Sequence, residues 1–312
     1  MNIGAILGAM QGAVTQGILW GILVLGVYIT YKILDIADLT VDGSFALGGC
    51  VCAVMVVNNG MNPALALVFA TLAGVLAGAV TGLLHTVFEI PAILSGILTQ
   101  IGLWSVNLRI MGKSNTPLLK VDTINTLLVD LTGMNQSTAT LIIGLVIAIL
   151  IIVALYWFFG TEIGCSLRAT GNNEDMIKAL GANTKVLKLI ALMISNGLVG
   201  LSGGLVCQSQ KYADIGMGTG AIVIGLAAIV IGDVLLGKLV SFGSKLASAV
   251  IGSIVYFLIR AIVLQLGMDA NDMKLLSAII VALALCIPVA ISKWKQKHSY
   301  SEGDNSEGGS SC

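Results

Sequence analysis

Few residues in this chain are of a type and spacing that supports catalysis or metal binding. The chain contains two histidines, His85 and His298, and neither has a Ser/Asp partner or a second metal ligand at a recognisable spacing. Cys50 and Cys52 form a close pair, but they lie inside an apolar stretch, where packing explains a thiol better than metal ligation does. The sequence therefore predicts no metal site and no catalytic group.

One stretch, "NLRIMGKS" at 107–114, ends like a phosphate-binding loop. Such a loop needs a glycine where this chain has Asn107, and it connects a strand to a helix. Here the motif follows a long apolar stretch, which is a helix candidate. No other stretch resembles a nucleotide loop, so we expect the chain to hold neither ATP nor any other cofactor.

The composition is that of a membrane protein. Hydrophobic residues make up 57% of the chain and charged residues 10%, far below the roughly 25% of soluble domains. Long apolar stretches predict an all-α polytopic membrane bundle of about nine segments. The segments are 3–31, 43–57, 63–84, 92–111, 138–159, 186–207, 216–235, 240–266 and 274–292. Residues 43–57 are short for a full crossing and could be re-entrant. The net charge of zero gives no reason to expect nucleic acid binding.

Lysine and arginine predict the orientation, because short cytoplasmic loops are rich in them. Lys293, Lys295 and Lys297 place the C-terminus in the cytoplasm. Counting back through nine segments places the stretch 160–188 inside, and the loop 112–137 and the N-terminus outside. The membrane domain spans 1–298, and 299–312 is a disordered polar tail.

Two stretches, 37–44 and 213–220, share an Ala-Asp-aliphatic start and a Gly/Thr-rich break, 176 positions apart. The predicted topology gives them opposite directions, as an inverted repeat requires, and transporters place the solute route where such halves meet. The alternative is that both are interfacial turns, with Asp38, Asp42 and Asp214 facing water. If they are repeats, the polar residues lining the route are Thr40, Ser44, Thr219 and Gly220, with Thr99 and Gln100 on a neighbouring segment.

The stretch 160–188 is charged in an otherwise apolar chain. It predicts a short helix over 173–180, with Asn172 as N-cap and Gly181 as the stop. About eight residues are too few to be stable alone in water, so another surface must cover its apolar side. That surface is either the chain's own membrane domain or a groove on a soluble partner.

Residues 164–205 resemble the cytoplasmic coupling loop and following span of ATP-binding cassette importer permeases of the branched-chain amino acid and sugar type. The matching positions are Arg168, Ala169, Gly171, Asn173, Ala179, Gly181 and Asn183. The stretch "DLTVDGS" is similar to an early element of the family, although Asp42 interrupts it, and 213–233 is similar to a later glycine-rich span. Within the family, the chain looks closest to permeases encoded beside tryptophan/tyrosine-type binding lipoproteins.

The resemblance implies a permease in a bacterial cytoplasmic membrane that translocates a small solute, an amino acid or similar. It implies three partners: a second permease copy, cytoplasmic ATPase subunits that bind ATP and Mg²⁺, and an extracytoplasmic binding protein. The residues expected to couple to the ATPase are Arg168, Gly171, Asn173, Met176, Ile177, Leu180 and Gly181. The alternatives are a secondary transporter without an ATPase and a passive channel. No acid stands out in mid-span, which counts against an ion-driven carrier.

Overall fold

The computed structural model describes residues 3–119, 121–236 and 241–267, together with 272, 275, 277–283 and 286. Eleven α-helices and two short strands have defined bounds within these residues, and residues 277–283 are helical as well. The helices are α1 (Ile3–Tyr28, continued by a π-helical turn, Ile29–Ile33), α2 (Val41–Val57), α3 (Pro63–Thr86), α4 (Ala92–Met111), α5 (Ile124–Thr132), α6 (Gln136–Phe159), α7 (Glu162–Asn172), α8 (Glu174–Ala179), α9 (Thr184–Gln210), α10 (Ala221–Leu236) and α11 (Phe242–Gln265). The strands are β1 (Asn115–Pro117) and β2 (Tyr212–Asp214).

The predicted all-α membrane bundle is confirmed. Among the described residues, six helices are long and apolar enough to cross a membrane: α1 with its π-helical turn, α3, α4, α6, α9 and α11. Two apolar helices are shorter, α2 with 17 residues and α10 with 16. The apolar stretch 274–292 and the three C-terminal lysines fall largely or wholly outside the described residues, as does the tail 299–312.

The starts of α3 and α9 are set by capping asparagines in the local sequence. Asn62 caps α3, where its side-chain oxygen accepts the Ala64 N–H at 2.9 Å and Pro63 occupies the first turn. Asn183 caps α9 in the same way, accepting from the N–H groups of Lys185 and Val186.

Glycines bring the central helices into backbone contact. Gly74 and Gly78 of α3 lie against the carbonyl oxygens of Asn196 and Leu192 on α9. A side chain at either glycine would collide with that backbone, so this small-residue face of α3 is a packing surface. The contacts run in opposite directions along the two helices, which are antiparallel.

A second close-packed set joins α1, α10 and α11. Gly17 of α1 lies against the backbone of Ile254, and Gly252 of α11 lies against the carbonyl oxygen of Ala228 on α10. In contrast, α4 and α6 expose large apolar side chains along most of their length, for example Ile101 and Leu150. These two helices therefore form the periphery, where lipid would cover them.

The loops divide between two ends of the bundle. At one end, β1 pairs antiparallel with β2, so the segment after α4 and the segment after α9 lie together. At the other end, Lys185 Nζ lies 2.8 Å from Glu89 Oε1, which joins the α3–α4 turn to the start of α9. The loop 112–137 and the stretch 160–188 are therefore at opposite ends, as the sequence predicts.

Candidate coupling surface and solute route

The charged stretch folds as two helices rather than one. In α7, Thr161 is the N-cap and accepts the Gly164 N–H. In α8, the N-cap is Asn173, whose side chain accepts the Met176 N–H at 3.0 Å. The prediction that Asn172 caps this helix is wrong by one residue, because α7 extends through Asn172. The predicted stop is confirmed, since Gly181 has a φ of +84° directly after α8.

The apolar residues of α8 and its C-cap point in different directions. Ile177 is only 5% exposed and packs inside the chain, so it does not belong to the predicted contact surface for a partner. Met176 is 51% exposed and Leu180 is 73% exposed. The helix is thus covered on one side by its own bundle, and it presents two large apolar side chains on another.

Glu174 fixes α8 to the start of α9. Its carboxylate accepts from Lys188 Nζ at 2.6 Å and from the Thr184 hydroxyl at 3.1 Å, and Lys178 lies 3.2 Å away. The hydrogen bond from Lys188 is the main reason why the pKa of Glu174 falls to about 2. The group is therefore ionised at any physiological pH. These contacts hold α8 against the start of α9.

Helix α7 packs against the ends of two other helices, the π-helical end of α1 and the start of α11. Gly171 lies so close to the carbonyl oxygen of Ile33 that no side chain fits between α7 and the end of α1. The Arg168 guanidinium lies 4.7 Å from the ring centroid of Phe242, the first residue of α11. Two of the predicted coupling residues, Arg168 and Gly171, thus attach the segment to the bundle.

A buried network of polar side chains connects the start of α2 with α3 and α9. The Asn196 amide donates to Asp38 Oδ2 at 2.7 Å, and its oxygen accepts from the Ser44 hydroxyl at 2.6 Å. The hydroxyls of Thr40 and Thr81 are 2.7 Å apart. Asp38 is 2% exposed, so the alternative that it faces water is wrong.

The two glycine-rich stretches contact each other, as the sequence predicts. Both oxygens of Asp42 accept backbone N–H groups at the start of α10, from Gly220 and Ile222 at 2.9 Å each. Gly218 lies against the carbonyl oxygen of Asp42, and Gly49 lies against the sulfur of Met217. Asp42 therefore caps α10 from a neighbouring helix, where a negative charge complements the helix dipole.

The predicted route residues separate into three places. Thr219 and Gly220 line a cavity of about 450 Å³ near the β1–β2 end, which we call the outer cavity. Thr40 and Ser44 are fully buried in the polar network and do not line it. Thr99 lines a separate apolar cavity between α2, α3 and α4, and the backbone of Gln100 lies against Gly43.

Sequence reasoning missed several polar residues at these sites. Asn196 was not singled out, although an amide within an apolar span usually needs a hydrogen-bonding partner. Gln210 and Trp20 also line the outer cavity and were not singled out, because a single amide or aromatic residue in an apolar run carries no pattern. The outer cavity also includes Arg260, which was not among the predicted route residues.

Comparison with known proteins identifies the family. The family model described as the permease component of branched-chain amino acid transport systems matches residues 9–285. A tyrosine transport system permease protein of Clostridioides difficile is 40% identical over 267 residues, which cover 86% of this chain and 87% of the relative. The ribose import permease protein of Escherichia coli K12 is 24% identical over 80% of this chain and 76% of its own length. An autoinducer 2 import system permease protein of Yersinia pseudotuberculosis is 29% identical over 71% and 62%.

No solved structure gives a significant match to the chain. The match to the family model covers most of the sequence, and the tyrosine permease aligns over nearly its whole length. The chain therefore belongs to the branched-chain amino acid transport permease family and is a membrane-spanning permease subunit of an ATP-binding cassette importer.

Proposed function

We propose that this permease passes an amino acid or a similar small solute across the bacterial cytoplasmic membrane, driven by an ATPase that docks on α7 and α8. The observation that supports this proposal most directly is the surface formed by Met176 and Leu180. Both side chains are exposed at a short helix that Glu174 links to α9. ATP and Mg²⁺ bind the ATPase, an extracytoplasmic protein delivers the solute at the β1–β2 end, and a second permease copy completes the membrane unit.

The proposed orientation places α7 and α8 in the cytoplasm. Arg168, Lys178, Lys185 and Lys188 cluster at this end, and the C-terminal lysines are assigned to the same side. Nine crossings, with the N-terminus outside, then connect the two ends. The loop 112–137 and the β1–β2 ladder face the outside, where a binding protein would approach.

We expect a cysteine at Ser137 to react with an impermeant thiol reagent added to intact cells, and a cysteine at Asp175 to react only after the membrane is opened. Both positions are exposed, at opposite ends of the bundle. The two variants are compared in a background in which the six native cysteines are replaced. The reverse pattern of labelling would invert the proposed orientation.

The inverted repeat is supported by paired hydrogen bonds between α1 and α9. Ser195 donates its hydroxyl to the carbonyl oxygen of Gly26, and Ser202 donates to that of Leu19, both at 2.8 Å. Ser195 is 176 positions after Leu19, and Ser202 is 176 positions after Gly26. Exchanging the two halves by this offset places the pair Ser195 and Gly26 on the pair Leu19 and Ser202, so equivalent positions are in contact in both halves, although the serine donor stands on α9 in both hydrogen bonds.

Contacts of the third helix in each half are also related by the offset of 176 positions. Val250 of α11 contacts Gly21 of α1, and Gly74 of α3 contacts Gly197 of α9. Gly197 is 176 positions after Gly21, and Val250 is 176 positions after Gly74. This agreement favours two copies made of α1–α3 and α9–α11, related by an axis in the membrane plane.

The proposed route follows the line where the two halves meet. Asp42 and Gly218, which touch, are also 176 positions apart, so this contact lies on the proposed axis. The route enters through the outer cavity at Thr219 and Gly220. Thr40 and Ser44 lie behind it in the polar network, and Thr99 and Gln100 remain candidates on the α4 side of α2.

We expect Thr219→Trp to reduce solute uptake to near background without loosening the ATPase. Thr219 is exposed beside the outer cavity, so an indole would fill space there without displacing the core. Gly220 is a poorer choice because its φ of +84° strains any other residue. Thr219→Ser is the control and should transport normally. Normal uptake by an assembled Thr219→Trp complex would move the route elsewhere.

A further inference from the structure

We propose that a cavity at the α7–α8 end of the bundle binds the phosphate group of an anionic membrane phospholipid. This cavity, which we call the inner cavity, has a volume of about 570 Å³ and lies between the end of α1, helix α7 and the start of α11. Its lining includes Tyr28, Lys32, Asp35, Arg168 and Lys245. Among the described residues, it shares no lining residue with the outer cavity, so the site is separate from the proposed solute route.

Two cations of the inner cavity have no fixed counter-ion. In the described part of the chain, neither Arg168 nor Lys245 forms an ion pair. By contrast, Lys32 Nζ lies 2.7 Å from Asp233 Oδ2. The Arg168 guanidinium lies 4.7 Å from the Phe242 ring centroid, a contact that positions the cation without neutralising it. A guanidinium and an ammonium group in one cavity favour an anion with several acceptor oxygens, as a phosphate has.

Tyr28 supplies an unused donor in the same wall. The residue is 5% exposed and lines the cavity, and its hydroxyl forms no hydrogen bond within the ranges that the structure describes. A buried hydroxyl without a partner is costly, so an oxygen of a ligand would satisfy it. Tyr28 directly precedes the π-helical turn that ends α1, and such turns are frequent at functional sites.

The charges around the inner cavity leave an excess of one positive charge. Among the described residues, three cations line it, and the carboxylates are Asp35, which also lines it, and Asp233, which is paired with Lys32. The start of α11 adds positive potential, because the side chain of its N-cap, Ser241, accepts no N–H group of the first turn. A phosphodiester carries a single negative charge and would neutralise the excess.

The position of the cavity favours a lipid over a soluble phosphate. The Tyr156 ring at the end of α6 lies against Gly243, next to Phe242 in the cavity lining. Tyr156 is 56% exposed and Trp157 is 74% exposed. Exposed tyrosine and tryptophan at the end of a spanning helix mark the head-group level of a membrane. The apolar side chains that α6 exposes, such as Leu150, would then lie beside the acyl chains.

The test measures lipid binding to the purified permease in neutral detergent by native mass spectrometry. We expect one phosphatidylglycerol to bind, more tightly than phosphatidylcholine with the same acyl chains. Lys245→Gln should weaken phosphatidylglycerol binding about tenfold and Tyr28→Phe about threefold, because each removes one hydrogen bond and the first also removes a charge. Asp35→Asn should strengthen binding, because the carboxylate repels the phosphate, and asparagine tolerates the φ of +55° at this position. Lys113→Gln removes an exposed lysine at the opposite end and should bind normally.

Equal binding of the two lipids would overturn the proposal, as would Lys245→Gln and Tyr28→Phe variants that bind phosphatidylglycerol as tightly as Lys113→Gln does. Inorganic phosphate separates the two sources of this chemistry, and at millimolar concentration it should leave the lipid bound. Displacement of the lipid by inorganic phosphate would assign the cavity to a soluble phosphate and contradict the lipid assignment. Tyr28→Phe keeps the aromatic ring, so it tests the hydroxyl even where a charge variant is unstable.

Discussion

Asn196→Leu is expected to destabilise the folded permease severely. The substitution leaves the Asp38 carboxylate without its 2.7 Å donor and the Ser44 hydroxyl without its 2.6 Å acceptor. Both groups are buried, and leaving a buried hydrogen-bonding group without its partner costs about 1–3 kcal/mol each. That loss is a large share of the roughly 5–15 kcal/mol that holds a typical domain together.

The measurement is the thermal unfolding midpoint of the purified protein in detergent, together with the yield in the membrane. Asn135→Leu is the matched control, because Asn135 is exposed and its side chain does not cap α6. We expect the control to keep the midpoint of the unmodified protein and Asn196→Leu to lower it markedly. Equal midpoints for the two variants would show that the polar network contributes little to stability.

Leu180→Asp is expected to separate the permease from its ATPase. Burying an exposed leucine contributes about 1.5–3 kcal/mol to an interface, and an aspartate in its place adds the cost of a desolvated charge. Leu180 is 73% exposed, and its side chain is not part of the permease core, so the fold should tolerate the change. Met176→Asp should act in the same direction.

Leu119→Asp is the matched control for this experiment. Leu119 is 70% exposed but lies in the loop 112–137 at the opposite end of the bundle. The variants are compared by co-purification of the ATPase with a tagged permease. We expect the ATPase to be retained by Leu119→Asp and lost from Leu180→Asp, and equal retention would remove Leu180 from the interface.

The sequence predicted those features that depend on neighbouring residues. The short helix α8 was predicted from a capping asparagine and a stop glycine, and both signals are local. The boundary shifted by one residue because Asn172 and Asn173 are both good caps, and the choice depends on where α7 ends. Helix α7 was missed because Gly164 and Gly171 weaken its helical pattern, although close packing requires both.

Features formed by distant parts of the chain were only partly predictable. The contact between 37–49 and 213–225 was predicted from their similarity. The burial of Asp38 was not, because its partner Asn196 is 158 residues away. The burial of Ile177 likewise depends on the surrounding bundle, and an amphipathic pattern alone does not show which apolar side chains of a short helix face a partner. The outer cavity draws residues from five of the named helices, α1, α2, α9, α10 and α11, and has no signature in any one of them.

ATP-driven uptake in proteoliposomes tests most directly whether α8 transmits ATP hydrolysis to the permease. The vesicles contain permease, ATPase and binding protein, and uptake is compared for the unmodified permease, Leu180→Met and Leu180→Asp. We expect uptake that requires ATP and the ATPase, persists with Leu180→Met, which keeps an apolar side chain, and is lost with Leu180→Asp. Full ATP-driven uptake by Leu180→Asp would contradict this expectation.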